Sequence, residues 1–307
     1  MHWWPVNLVK AVTAITSVAL LASCAGCEAR VYGAPAASQM SVVAPQGPVE
    51  TPAPPPVEVP PSFLGLQARA QLAVDEAANR GAEVGLMVLD RETRQEVAAG
   101  NTARWATASV VKLFIADDLL LRQPNLSPAD RALFDVMLRS SDDSAAEVFW
   151  NRGGGSAIVN RVTARYGLTA TSPPSNGRWF NTITSAQDLV RYYDMLLSGT
   201  GGLPPERANM IMSNLAASTP TAPDGTQPGG IYPQRFGIPE GLYAEPVAVK
   251  QGWMCCVRSD WMHLSTGVVG PNRRFIMVIY ALQPTGSTAA RTAITEAVKT
   301  TFPGGSI

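Results

Sequence analysis

TASVVKLFIADDLLL, residues 107–121, puts Ser109 and Lys112 three positions apart where a polar segment gives way to an apolar, helix-forming one. The pattern predicts a helix over Ser109–Arg122 with an apolar body. If the helix starts at the serine, Lys112 follows one turn later on the same face, and the Ser109 hydroxyl and N–H sit at the positive end of the helix dipole. An amine so placed can take the proton from a serine hydroxyl. The same spacing also describes the polar start of an ordinary helix, since serine is a favoured cap.

Working outward, two further segments bear on that choice. Ser140-Ser141-Asp142-Asp143 interrupts a helical stretch in MLRSSDDSAAEVF, and Lys250-Gln251-Gly252 lies on an expected strand, AVKQGW. Alone, the first reads as a polar turn between helices and the second as a lysine at a sheet edge. Around them the chain opens with a helical pattern from Leu66, then EVGLMVLD, the turn Arg91-Glu92-Thr93 and RQEVAAG as a hairpin. Helices are expected from Pro128, where Leu126-Ser127-Pro128 supplies cap and staple, and over Ala145–Trp150, Ala157–Tyr166, Ala186–Leu197 and Pro205–Leu215. Strands return at Ala248–Val257, Trp261–Val269 and Arg273–Leu282, and a helix over Thr288–Thr300 closes the chain. Strands at both ends and helices between them predict an α+β fold, one antiparallel sheet with helices on its faces and a mainly helical lobe.

Composition excludes several classes of function. Lys plus Arg equals Asp plus Glu at 24 each, with no run of like charge, so the footprint of a nucleic-acid binder is missing. Only His2 and His263 are present, which argues against an imidazole-built zinc site and leaves a Ser-His-Asp hydrolase one candidate base. Flanked by Trp261 and Met262 on a strand, His263 reads as structural. Gly153 to Gly155 lack the downstream Lys-Ser/Thr of a phosphate loop and read as a connection. Neither a metal nor a cofactor is expected.

Residues 1–23 read as an export signal, with Lys10 ahead of an apolar run too short for the roughly 20 residues that span a bilayer. Leu21-Ala22-Ser23-Cys24 is similar to a bacterial lipobox, making Cys24 the expected lipidated residue and Cys27 the alternative. Residues 24–62 form a proline-rich spacer, and residues 63–307 the globular domain. Cys255 and Cys256 are read first as buried thiols, because adjacent strand residues point to opposite faces; a bond between them or to another chain is the alternative.

In order and spacing, the three motifs resemble the S-x-x-K, S-D-N and K-T-G signature of the penicillin-recognising serine enzymes, the superfamily of class A β-lactamases and DD-peptidases. The resemblance covers roughly residues 65–302. It implies a β-lactamase/transpeptidase-like fold in which Ser109 is acylated and Lys112 is its base. Ser141 would relay a proton to the leaving group, and Lys250 would supply positive charge to the substrate carboxylate and to Ser141. Gly252 completes the third motif, and the N–H groups of Ser109 and Trp253 would form the oxyanion hole.

Three departures bear on activity. Asp143 replaces an asparagine that donates to substrate, and an ionised carboxylate cannot donate; beside Lys112 it would favour the charged, non-basic lysine. Gln251 replaces a small hydroxyl residue and would place a longer side chain where a substrate carboxylate lies, with Trp253 narrowing the groove further. From Trp150 to Thr200 there is no glutamate to activate a deacylating water, so efficient β-lactam hydrolysis is not expected. Arg178, Trp179 and Phe180 either line the cleft or close a loop.

The sequence therefore points to an exported cell-envelope protein, held at the membrane by a lipid anchor. Its domain reads as a non-hydrolysing pseudoenzyme or binding protein for peptidoglycan peptide or an envelope protein. The alternative is a slow serine acyl-enzyme hydrolase or DD-peptidase acting through Ser109.

Overall fold

A computed structural model describes residues 63–307. The expected export signal, the spacer and both candidate lipidation cysteines, Cys24 and Cys27, lie outside the described residues. The chain opens with α1 (Leu66–Asn79) and the hairpin β1 (Glu83–Asp90) and β2 (Glu96–Gly100). Strand β3 (Trp105–Ala106) leads through a 3-10 turn, Ala108–Val111, into α2 (Lys112–Arg122). Helices α3 (Pro128–Arg139), α4 (Asp143–Arg152) and α5 (Ser156–Tyr166) follow, then β4 (Ile183–Thr184), α6 (Ala186–Ser198) and α7 (Pro205–Ala216). The short strands β5 (Thr221–Pro223) and β6 (Ile231–Pro233) pair as a hairpin, α8 (Ile238–Gly241) follows, and the chain ends in β7 (Val247–Val257), β8 (Asp260–Val269), β9 (Phe275–Gln283) and α9 (Ser287–Thr301).

The main sheet is antiparallel, in the order β2-β1-β9-β8-β7, so the first and last strands among the described residues meet in one sheet. Strand β9 lies at its centre and is buried at every position, as a strand covered on both faces must be. Its side chains divide with period two. Phe275, Met277, Ile279 and Ala281 pack toward α1 and α9, while Ile276, Val278, Tyr280 and Leu282 face the helical lobe. The lobe is organised around α2, whose Leu113, Phe114, Ile115 and Leu120 are all at most 1% exposed. Each such burial contributes about 2 kcal/mol.

The α2 sequence also buries two carboxylates, each paired. Asp118 accepts from Arg161 Nε at 2.7 Å and Arg122 Nε at 2.8 Å, and Asp117 accepts from Arg165 and from the Tyr166 hydroxyl. A buried charge without such partners would destabilise the lobe by several kcal/mol.

Two details differ from expectation. The helix expected from Ser109 starts as a 3-10 turn and becomes α-helical only at Lys112, because Ala108 stands in the left-handed region at φ 44°. Cys255 and Cys256 are not buried thiols: both are exposed and bonded to each other, across a cis peptide. The β7–β8 register shifts between Met254 and Val257, so the strand alternation that argued against their pairing does not run through them.

Candidate active site

The site lies where the lobe meets β7. Strand β3 is held by pairing with β4 and by Trp105 stacking on Tyr280, with ring centroids 4.5 Å apart. The Thr107 N–H donates to the Thr182 carbonyl at 2.8 Å, which ties the Ser109 turn to the segment carrying Trp179. On the other side the turn presses on Gly252. A Cβ there would stand 2.7 Å from the Thr107 carbonyl oxygen and 3.3 Å from the Ser109 nitrogen, so only glycine allows this approach.

The helix break expected at Ser140–Asp143 is present. Chain direction changes at Ser141, which is left-handed at φ 56°, and α4 restarts with Asp142 as its cap, accepting from Ala145 N–H at 2.7 Å. Left-handed backbone at Ala108 and Ser141, each beside or within a candidate motif, is the sort of strain that a packed surround must hold in place.

These elements bring four side chains into one hydrogen-bonded chain. Lys112 Nζ lies 3.0 Å from Ser109 Oγ and 3.2 Å from Ser141 Oγ, and Lys250 Nζ lies 2.7 Å from the same Ser141 Oγ. Lys112 also donates to the Ser141 carbonyl at 2.6 Å and to Asp143 Oδ1 at 2.5 Å, and Lys250 to the Gln251 carbonyl at 3.1 Å. Neither lysine reaches solvent, at 0% and 1% exposure. Burial holds the Lys112 amine below its ordinary value despite the opposing pull of Asp143, which sits half exposed at the rim. Lys250 is pushed well below its ordinary value by burial first and then by the nearby Lys112 charge. The expected carboxylate–lysine contact is thus present, yet desolvation outweighs it. A serine hydroxyl beside an amine whose charged form is disfavoured is the pairing that nucleophilic acyl transfer requires.

The chain opens on a cleft of about 190 Å³. Ser109, Ser141, Asp143 and Trp253 line it, as expected, and so do Trp179 and Phe180. Arg178 is exposed and is not among the lining residues. Trp179 stands over Lys112 Nζ at 4.8 Å and donates its indole N–H to Glu147 Oε2 at 3.0 Å. Glu147 follows Asp143 by one turn of α4, a spacing readable in the sequence, but its link to Trp179 joins segments far apart in the chain.

The roof is the β5–β6 turn, with Ala222, Pro223, Gly225 and Thr226 lining the cleft, and Met254 and Cys255 complete the rim. Polar and glycine-rich, that turn carries no signal of its role in the sequence.

Gln251 does not enter the cleft. Along β7, Ala248 and Lys250 face the lobe while Val249 and Gln251 face α8 and α9; the Gln251 amide donates to the Gln234 carbonyl at 3.1 Å and to that of Phe236. The expectation that it blocks the carboxylate position fails on strand alternation alone. Trp253 stacks on Tyr232 with centroids 3.7 Å apart, and behind them His263 is fully buried with Nε2 2.7 Å from the Tyr232 hydroxyl. Burial pushes His263 down to about 3, so it is a neutral structural ring. Among the described residues no cluster of His, Cys, Asp or Glu is arranged to hold a metal, and no helix is long and apolar enough to cross a membrane.

Comparison with known proteins gives this geometry a family. The profile described as the Beta-lactamase enzyme family matches residues 122–302, beginning after Lys112. The chain is 55% identical over 320 residues to LppW of Mycobacterium bovis and of Mycobacterium tuberculosis, provisionally named a lipoprotein, with 99% of each chain covered. A variant of PBP-A solved as an acyl-enzyme complex with penicillin G superposes with a TM-score of 0.61 at 16% identity, covering 80% of this chain and 98% of that one. The TLA-3 extended-spectrum β-lactamase superposes with a TM-score of 0.60 at 14% identity, covering 77% and 98%. Sequence match, similarity to LppW over nearly the full length and shared architecture agree: the chain belongs to the Beta-lactamase enzyme family and has its α+β, β-lactamase/transpeptidase-like fold.

Proposed function

We propose that the protein is an exported lipoprotein, anchored to the membrane through Cys24 or Cys27, whose 63–307 domain is a serine acyl-transfer enzyme working slowly through Ser109. The reading of the N-terminus rests on the lipobox-like sequence and on the name of its mycobacterial relatives. The reading of the domain rests on one observation, the unbroken chain from Ser109 through Lys112 and Ser141 to Lys250 at 3.0, 3.2 and 2.7 Å.

In the proposed reaction Lys112, in its neutral form, accepts the Ser109 hydroxyl proton as Oγ bonds to the substrate carbonyl carbon. The N–H groups of Ser109 and Trp253 receive the developing oxyanion. The bond to the leaving group then breaks, and the proton passes from Lys112 through Ser141 to that group, with Lys250 stabilising the Ser141 oxygen as it relays. Water, or a peptide amine, attacks the acyl-Ser109 carbonyl; the attacking group loses a proton, Ser109 Oγ regains one, and the acid or transferred amide leaves. Deacylation is the slow half, because the Trp150–Thr200 stretch supplies no glutamate to take the proton of that water.

A second reading is favoured by the 2.5 Å contact of Asp143 with Lys112, which stabilises the ammonium form. The fold then serves as a binding cleft for cell-wall peptide or an envelope protein.

Incubation of the full-length protein with p-nitrophenyl butyrate, followed by intact and peptide mass analysis, separates the two. Acylation of Ser109 that disappears in Ser109→Ala supports the enzyme. An adduct that forms only in Asp143→Asn assigns the native protein to the binding reading, and no adduct in either form does so as well.

A further inference from the structure

The cleft beside Ser109 has aromatic walls, the rings of Trp179 and Phe180, while the Trp253 ring stacks on Tyr232 on the other face of β7. Of its lining residues among those described, only Asp143 is ionic, and its side chain is 51% exposed. No arginine lines it. The two lysines beneath are unavailable to a ligand: Lys112 is turned onto Ser109, Ser141 and Asp143, and Lys250 onto Ser141 and the Gln251 carbonyl, both at most 1% exposed.

Asp143 uses Oδ1 for Lys112. Its other oxygen faces the β5–β6 turn at Gly225, where a Cβ would stand only 2.6 Å away. The glycine leaves that oxygen open under the roof of the cleft.

Aromatic faces carry a negative potential that attracts organic cations, and a carboxylate beside them adds to it. Lys112 Nζ approaches the Trp179 ring to 4.8 Å, so that face is within reach of a nitrogen group at the floor of the cleft. A carboxylate brought to the same rim would meet a like charge, with no exposed cation among the lining residues to neutralise it.

We propose that the cleft selects acyl donors carrying an ammonium or other organic cation near the scissile carbonyl, and discriminates against those carrying a free carboxylate there. The inference rests on Ser109 being the nucleophile of the proposed reaction. The cation lies between Asp143 and the aromatic walls while the ester carbonyl meets Ser109 Oγ. The acyl group passes from the ester oxygen to Ser109, and the alcohol leaves with the serine proton.

Three p-nitrophenyl esters of similar chain length test this with the full-length protein: the pentanoate, the trimethylammonio-butanoate and the monoester of adipic acid. Ser109 acylation is followed by pre-steady-state release of p-nitrophenolate, each rate divided by the ester's reactivity with hydroxide. The expected order is cationic, neutral, anionic, with the cationic ester ahead of the anionic one by about tenfold. In Asp143→Asn that ratio falls to within about twofold, and in wild type it shrinks as salt is added.

An anionic ester that acylates Ser109 as fast as the cationic one overturns the inference and leaves the serine enzyme standing. So does a ratio that Asp143→Asn does not change. If no ester labels Ser109, the enzyme reading fails instead. The charge preference is then measured with the matching unreactive amides titrated into Ser109→Ala protein, where tighter binding of the anionic amide overturns it and tighter binding of the cationic amide sustains it.

Discussion

The Asp143 carboxylate stands 2.5 Å from Lys112 Nζ, closer than the Ser109 hydroxyl at 3.0 Å that the same lysine would deprotonate. The carboxylate favours the ammonium form, and burial of the lysine favours the free amine; burial is the larger effect, so the amine stays below its ordinary value. If neutral Lys112 is the base, acylation rises with pH through the lysine's pKa and then levels. Removing the Asp143 charge removes support for the ammonium, so the pKa falls and the rising limb moves to lower pH. Asp143→Asn is expected to shift that midpoint to lower pH and to speed acylation severalfold on the rising limb. Stopped-flow acylation by a neutral ester across the pH range checks it, and an unmoved midpoint assigns the base to another group.

Gly252 is expected to be intolerant of even one added carbon. In Gly252→Ala the new methyl would overlap the Thr107 carbonyl at 2.7 Å, and the backbone of the Ser109 turn cannot yield without moving the nucleophile. A displacement of about 1 Å costs on the order of a hundredfold in rate. The variant should lose Ser109 acylation to that degree while its far-UV circular dichroism stays that of wild type. Retained acylation would mean that β7 can draw back from the turn without cost.

What the sequence made legible follows the physics that acts locally. Period-two burial in FIMVIYALQ, the Ser127 cap with Pro128, and the Asp142 cap after Ser141 all depend on neighbours a few positions away, and all stand in the structure. The three motifs were legible because order and spacing carried them, and the fold brings Ser109, Lys112, Ser141 and Lys250 together. Gln251 shows where motif likeness misled: strand alternation sends its side chain away from Lys250's, a consequence already implicit in AVKQGW. The cleft's roof and walls were not legible. Gly225 over Asp143 and Trp179 on Glu147 are contacts between distant segments, which no local pattern encodes.

The paired carboxylates of α2 lead to a stability prediction. Asp117 is fully buried against Arg165 and Tyr166, whereas in the Asp130–Arg152 pair the arginine is half exposed and Asp130 keeps a second donor in Gln123. Asp117→Ala strands the Arg165 guanidinium inside the lobe and is expected to cost about 3–5 kcal/mol. Asp130→Ala should cost about 1 kcal/mol or less. Urea denaturation of both variants measures the difference, and equal losses would show that water reaches Arg165 once its partner is gone.

His263 gives the acid limb of stability. Burial holds it down to about 3 in the fold, against an ordinary 6.5, and the Arg291 charge adds to the effect. Between those values the unfolded chain binds a proton that the folded one refuses, so stability rises with pH across the window and is lost as pH falls from about 6.5 toward about 3. From about pH 7 to about pH 4.5 the loss attributable to this ring is roughly 2–3 kcal/mol. The salt-bridged Asp90, Asp130 and Asp194, held below 3.8, lose their contribution mainly at lower pH, while Asp117, pushed above 3.8 by burial, acts in the opposite sense in the lower part of the window. His263→Gln, which cannot titrate, is expected to start less stable because the Tyr232 contact is altered, but to keep a nearly flat profile over the same range. Urea midpoints at the two pH values decide it: parallel slopes for wild type and variant would place the acid sensitivity elsewhere in the fold.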